Sequence, residues 1–270
     1  MSRLLDEATV KELARRLQEA EDTRRPMTQL SQLYPDMTIE DAYAIQLAWR
    51  DLKIASGRKL CGRKIGLTSR PMQKAQGVDE PDRGVYFDDM IFEDGSVIPM
   101  SRFIQPRVEV ELAFILARPL SGPGVTIRDV LDATAWIQPA LEILDSRLEM
   151  KDPKTGAIRK IVDAIGDNAA NAGMVLGGCP VRPADVDLRW VSALLYINGV
   201  IEETGVSAAV LNHPANSVAW LANSLAPYGE RLEPDQPILS GSFTRPCFIH
   251  QGDVLQADYG RLGVVTCRFE

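Results

Sequence analysis

Residues 107–114 constrain the fold more than any other stretch of the chain. Polar and apolar residues alternate there with period two, the pattern of a β-strand with one buried face. Side chains two positions apart share a face, so Arg107, Glu109 and Glu111 line up together. Val108, Val110, Leu112 and Phe114 form the opposite, core-facing row. Carboxylates two residues apart lie about 7 Å from each other along a strand and repel unless a cation sits between them. A hard divalent ion, which takes oxygen ligands, fits that spacing. A solvated edge strand with Arg107 offsetting the charge fits it too, and the strand alone does not choose between them.

A second alternating run covers residues 136–145. Ala140, Glu142 and Leu144 share one face, and Leu141 and Ile143 the other, so Glu142 is a charge in an otherwise apolar run. Its two readings are a structural ion pair and a third carboxylate for the same cation. Residues 60–67 read as a strand with Lys64 between Gly62 and Gly66. Glycines inside a strand mark a bulge or a close approach to a ligand or another backbone.

The rest of the chain sets the fold class. Residues 1–57 read as helical, with Val10, Leu13 and Leu17 at helical spacing. A second helix begins at Thr38, where Asp41 completes a capping box, and ends at Gly57, with Ile45, Trp49 and Leu52 on its apolar face. A loop over 76–84 and short strands over 86–92 and 98–99 follow. Thr126 and Asp129 cap a short helix, residues 167–173 read as a polar loop and 174–176 as a strand, and Asn198 and Gly199 turn a hairpin over 191–203. A helix over 216–225 and a strand over 264–269 close the chain. Helices first and then many strands argue α+β over a regular βαβ alternation. Residues 147–160 are charged and turn-rich and read as a mobile segment, placed to act as a lid over a site containing Glu142.

Several function classes are excluded. The net charge is −7 and no Lys/Arg block occurs, so a nucleic-acid footprint is absent. No apolar run approaches the roughly 18 residues of a membrane span, and the first residues carry no apolar signal core, so a cytoplasmic protein is expected. Cys61, Cys179, Cys247 and Cys267 lack metal-ligand spacing and are expected to be small buried hydrophobes. Neither His213 nor His250 sits beside an obvious nucleophile; His213 is expected to make a structural hydrogen bond and His250 to lie at the surface. No Gly-rich dinucleotide fingerprint opens a helix. What remains is three carboxylates and one lysine. A cation held by such a set keeps positions open for substrate oxygens and acts as a Lewis acid, and a 2-oxo acid suits it because carboxylate and keto oxygens chelate together. Lys64 is then the candidate proton carrier.

The ordered set of segments 63–69, Pro81 with Asp82 and Gly84, Glu109 with Glu111, 139–142 and 167–169 resembles the hydratase/decarboxylase family of catechol meta-cleavage pathways, in the fumarylacetoacetate hydrolase superfamily. The likeness covers nearly the whole chain and extends to 198–205, 211–216 and 241–246. It implies a helical N-terminal part over residues 1–59 and a mixed β-roll or sandwich catalytic domain over 60–270. It implies a Mg²⁺ site, with Mn²⁺ as the alternative, on Glu109, Glu111 and Glu142. Lys64 and Asp82 match the family's acid/base pair. The activity implied is water addition to a 2-oxo-alkenoic diacid by a homo-oligomer, a pentamer or decamer. Decarboxylation of a related keto acid, or hydration of a shorter monoacid, is the alternative. A carbon–carbon hydrolase of the superfamily is disfavoured because no histidine precedes His213, and a catalytically inert subunit because no ligand glutamate is missing. The second carboxylate of a diacid needs its own cation. Arg245, with Gly241 and Ser242 in the same turn, is the candidate, and Arg147 and Lys160 compete for the role. The alternative for Arg245 is a surface ion pair. Arg107 is expected to orient a ligand carboxylate.

Overall fold

The computed structural model describes residues 3–270. Helix α1 (Glu7–Thr23) starts at Asp6, whose carboxylate accepts the Thr9 N–H. A single turn, α2 (Leu30–Leu33), precedes α3 (Ile39–Ala55). The expected capping box opens α3: Thr38 Oγ1 accepts the Asp41 N–H, and Asp41 accepts the Thr38 N–H. The other Asp41 oxygen accepts the N–H groups of Leu4 and Leu5, tying the leading segment to the helix.

Strand β1 (Leu60–Gly66) carries the expected irregularity, a register shift between Leu60 and Gly62. Helix α4 (Arg70–Gln76) was not expected, although Ser69 at its N-cap, Pro71 in its first turn and left-handed Gly77 after its end are ordinary helix signals. The expected strand over 86–92 is two strands. β2 (Asp82–Phe87) reaches back into the expected loop, and a 3₁₀ turn separates it from β3 (Ile91–Glu93). Then come β4 (Ser96–Ile98), the glutamate strand β5 (Arg107–Leu116), helix α5 (Ile127–Ala133) and β6 (Thr134–Leu144). Helix α6 (Ile161–Gly166) leads through a left-handed turn at Asn168, Ala169 and Ala170 into β7 (Asn171–Leu176), which contains the strand read over 174–176 and begins three residues earlier, inside the expected loop. The Asn198–Gly199 hairpin joins β8 (Ser192–Ile197) to β9 (Val200–Val206). Helix α7 (Pro214–Leu225), β10 (Pro237–Leu239), β11 (Cys247–Phe248), β12 (Val254–Asp258) and β13 (Val264–Phe269) complete the chain.

The strands form two sheets. The larger has the order β2-β1-β10-β5-β6-β7-β3, with β11 also pairing with β5; the smaller runs β4-β13-β12-β8-β9. Val108, Val110, Leu112 and Phe114 on one face of β5 join the main core with the small sheet, α5 and α7. The other face, which carries Glu109, Glu111 and Ala113, looks toward the helical layer. There Ala113, Ala140 and Leu239 share a second core with Leu13, Leu17, Ile45 and Trp49 of α1 and α3. Trp49 is 1 % exposed and stands edge-on to Phe87, with ring centroids 5.9 Å apart. The α+β fold read from element order is the fold observed.

Two expectations are corrected here. Segment 147–160 is tied down: Met27 and Arg147 exchange backbone contact, Glu149 N–H donates to Met27, residues 151 and 158 bridge, and Gln29 Nε2 donates to the carbonyls of Glu149 and Ala157. Of the four cysteines only Cys267 is buried, because it alone faces the core from a central strand; none is disulfide-bonded. His213 makes its structural bond, accepting the Ala215 N–H on Nδ1 at the start of α7. Among the described residues no helix is long and apolar enough to cross a membrane.

Candidate active site

The antiparallel register of β5 and β6 places Glu109 directly opposite Glu142. Glu111 lies two residues along the same face, and one oxygen from each of the three carboxylates falls within 4.8 Å of the others. Glu111 and Glu142 are each 1 % exposed. Glu111 Oε2 accepts the Gly241 N–H at 2.7 Å. Glu142 Oε1 accepts the Tyr86 hydroxyl at 3.1 Å and meets Lys64 Nζ at 3.5 Å. Burial and then the charge of Glu142 push Glu109 up to about 8, and burial with both neighbours lifts Glu111 well above the usual carboxylate range. Two buried carboxylates and the half-buried Glu109 at this separation are a set of hard oxygen donors, and they fit a divalent cation of the magnesium, manganese or calcium type.

Lys64 and Asp82 join the carboxylates in one cavity of about 190 Å³. Burial alone would strip the Lys64 proton, but Glu142, Asp82, Glu109 and Glu111 outweigh it, so the ammonium is held above its ordinary pKa. Asp82 begins β2 as the partner of Gly66 on β1. Its carboxylate rests against that glycine: a Cβ at Gly66 would overlap Asp82 Oδ1. Burial raises the Asp82 pKa, and Lys64 and Arg159 oppose the rise. Gly66 thus marks a close approach, one of the two meanings its place in a strand suggested.

The structure does not bring every expected residue to this cavity. Ser242 lines it with Thr244 and Pro246, but Arg245 does not. Ser242 Oγ donates to the Thr244 carbonyl and Thr244 Oγ1 accepts the Val110 N–H. That turn points Ser242 and Thr244 inward and Arg245 out. Its side chain is 84 % exposed and pairs with Glu203 at 2.6 Å, the surface ion pair that was its alternative. Gly241 spends its N–H on Glu111, which leaves none for substrate. Arg147 is buried elsewhere, with its guanidinium saturated by Asp167, the Asn171 carbonyl and Glu21. Lys160 does reach the cavity. Arg107 also lines it, yet among the described residues makes no ion pair within 4.0 Å with any ligand carboxylate; Glu109, two residues along the strand, is still the strongest charge acting on it.

Two residues were missed from the sequence. Tyr86 lies on the same face of β2 as Asp82, four residues along, so the period-two rule that grouped the glutamates also reached it. Arg159 enters the cavity from the end of the charged segment 147–160, and only composition marked that segment.

Fold and site together define an α+β protein with a three-carboxylate centre suited to a cation beside a buried lysine–aspartate pair. Residues 58–270 match the family described as fumarylacetoacetate (FAA) hydrolase, C-terminal. The chain belongs to that family. It is 57 % identical over 266 residues to the 2-oxo-hept-4-ene-1,7-dioate hydratase of Escherichia coli, covering 98 % of this chain and 100 % of the relative. It is 37 % identical over 269 residues to the 4-oxalocrotonate decarboxylase of Pseudomonas sp. (strain CF600), across 100 % of both chains. The solved 4-oxalocrotonate decarboxylase from Pseudomonas putida G7, complexed with magnesium and adipate, superimposes with a TM-score of 0.94 at 34 % identity, covering 100 % of both chains.

Proposed function

We propose that this chain is a hydro-lyase that adds water to 2-oxohept-4-ene-1,7-dioate, giving 4-hydroxy-2-oxoheptanedioate in homoprotocatechuate catabolism. The observation that carries the reading is the meeting of an all-carboxylate centre with Lys64 and Asp82 in one cavity. The 57 % identity to a hydratase named for that substrate supports it.

Glu109, Glu111 and Glu142 are the residues to hold a divalent cation, Mg²⁺ with Mn²⁺ as the alternative, which when bound supplies Lewis acidity toward a 2-oxo carboxylate. Gly241 and Tyr86 fix two of those carboxylates through N–H and O–H donation. Asp82, its pKa raised by burial, removes the proton from C3, and Lys64, held as an ammonium, delivers one to C5. The double bond thereby moves into conjugation with the 2-oxo group. Lys64, now neutral, takes a proton from water as its oxygen attacks C4. Asp82 returns the first proton to C3, and both residues recover their starting states.

The decarboxylase in the P. putida G7 structure shares the fold so closely that loss of CO₂ is the second reading. The two are separated by supplying the purified chain and Mg²⁺ with each substrate. Loss of enone absorbance from the seven-carbon diacid without CO₂ supports the hydratase, and CO₂ release from 2-oxohex-3-enedioate replaces it with the decarboxylase. We also assign a homo-oligomer, pentamer or decamer, which light scattering tests. The exposed Val200, Ile201 and Val206 of β9 and the exposed Phe248 support association.

A further inference from the structure

Two guanidiniums line the cavity with no carboxylate of the described residues within ion-pair distance, 4.0 Å. Arg107 stands two residues before Glu109 on the same face of β5, opposite Leu144. Its Nη2 is buried and meets no hydrogen-bond partner. Arg159 enters from the end of segment 147–160, and among the described residues the one side-chain hydrogen-bond partner of its guanidinium is neutral: Nη1 donates to Ser146 Oγ at 3.3 Å. Buried Arg63, Lys53 and Arg147 are matched by Glu230, Glu21 and Asp167, and buried Arg83 lies over the rings of Tyr43 and Tyr228. Burying a cation without a close counter-ion is costly, and these two aggravate each other: after burial, the charge of Arg107 is the largest influence lowering the Arg159 pKa, against the more distant pull of Asp167, Asp82 and Asp163.

Their position relative to the carboxylate centre is fixed by β6. Arg107 lies opposite Leu144 and Arg159 bonds Ser146, two and four residues beyond Glu142. At about 3.3 Å per residue, that end of the cavity begins roughly 7 Å from the centre. An extended seven-carbon diacid spans this gap with its 2-oxo end at the glutamates. Leu144, Ile161 and Ala164 line the cavity and offer its methylenes an apolar wall. From this geometry we infer that Arg107 and Arg159 form the subsite for the far carboxylate and so select a diacid over a monoacid. The inference rests on the hydratase reading for the identity of the substrate, but not for the existence of a dicarboxylate site.

The test compares wild type, Arg107→Met, Arg159→Met, Arg159→Lys and Lys160→Met as full-length chains with Mg²⁺. Selectivity is the ratio of kcat/KM for 2-oxohept-4-ene-1,7-dioate to that for 2-hydroxypenta-2,4-dienoate. Loss of a charge-assisted contact is expected to lower this ratio about tenfold or more in Arg107→Met and Arg159→Met, chiefly through KM, with Arg159→Lys between them and wild type. Calorimetry with adipate and hexanoate gives a reading free of turnover: wild type prefers adipate, and the two arginine-to-Met variants lose the preference. Circular dichroism confirms folding, and if one of those two fails to fold, the other and Arg159→Lys still decide. An unchanged ratio and unchanged adipate preference in the folded variants overturn the subsite. A tenfold loss confined to Lys160→Met moves it to Lys160 and overturns it as well. A wild type that hydrates neither substrate but prefers adipate, with the preference lost in the arginine-to-Met variants, refutes the hydratase reading and leaves the subsite standing.

Discussion

Glu109 and Glu142 are direct cross-strand partners on β5 and β6, and both turn into the same cavity. Like charges at facing positions weaken a sheet, and burial strengthens the repulsion. Removing one charge is therefore expected to stabilise the metal-free chain. Glu109→Gln is the cleanest choice, since Glu142 also holds Tyr86 and Lys64. A gain of about 1 kcal/mol raises Tm by roughly 2–4 °C in a chain of this size. Mg²⁺ is expected to stabilise wild type and not the variant. Calorimetric melts with EDTA and with Mg²⁺ check both halves, and equal Mg²⁺ stabilisation of the two proteins refutes the ligand assignment.

Lys64→Met removes the proposed proton carrier and leaves the three carboxylates in place. The expected loss in kcat is about 10²–10⁴-fold, the usual worth of general acid–base catalysis. Mg²⁺ affinity measured by calorimetry should survive. A variant of near-wild-type rate rules Lys64 out of the chemistry.

Gly66→Ala tests the seat of Asp82. The new methyl group would occupy the space of the Asp82 carboxylate and approach Lys64 Nζ. The expected outcome is a loss of rate of at least about tenfold, because misplacement by roughly 1 Å costs up to 10²-fold. The circular dichroism spectrum should remain that of wild type. Full activity in the alanine variant contradicts the described contact.

Arg147 gives the opposite profile. Its guanidinium neutralises buried Asp167 and bonds the Asn171 carbonyl. Arg147→Met leaves that carboxylate unpaired, and the expected cost is about 3–5 kcal/mol of stability in urea unfolding. A change in KM with unaltered stability restores Arg147 as a substrate contact.

Asp41 supplies a pH dependence. Burial, the largest single influence, works to raise its pKa, but N–H donation from Leu5, Thr38 and Leu4 and the Thr38 hydroxyl outweigh it and hold the pKa low. A folded pKa below the unfolded one means that the folded state binds fewer protons, so the contribution is present above the unfolded value of about 3.9 and is lost as pH falls through the folded value. Asp41→Asn is expected to lower stability by about 1–2 kcal/mol at neutral pH. The gap from wild type should narrow progressively below about pH 4. Urea titrations at pH 7 and pH 3 measure it; a gap that widens on acidification refutes the account.

What the sequence made legible was local. Period two placed Glu109 and Glu111 on one face, and a side-chain oxygen three residues ahead of a carboxylate marked the capping boxes at Thr38 and Thr126. Asn198 and Gly199 announced their hairpin for the same reason. What stayed hidden depended on partners far along the chain. Nothing near Arg147 signals that Asp167 will neutralise it, and nothing near Arg245 signals that the Ser242–Thr244 bonds turn it outward. Arg159 was obscured because a charged, turn-rich segment looks the same in composition whether its last arginine faces solvent or a cavity. Helix α4 was passed over although its caps were in view, since its seven residues are too few to show a periodicity.

The order of strands in the large sheet has a consequence for synthesis. The lysine strand β1 never pairs with the glutamate strand β5; β10, residues Pro237–Leu239, stands between them and hydrogen-bonds to both. Two residues later comes the Gly241 N–H that holds Glu111. A ribosome-bound chain therefore carries Lys64, Asp82 and all three glutamates long before they form one centre. Val85 of β2 reaches Asn168 and Asn171 beside β7 without β10, but the sheet itself becomes continuous only when the stretch around residue 240 leaves the exit tunnel and is inserted as the wedge between β1 and β5. Such a late, non-local closure is slow on general grounds.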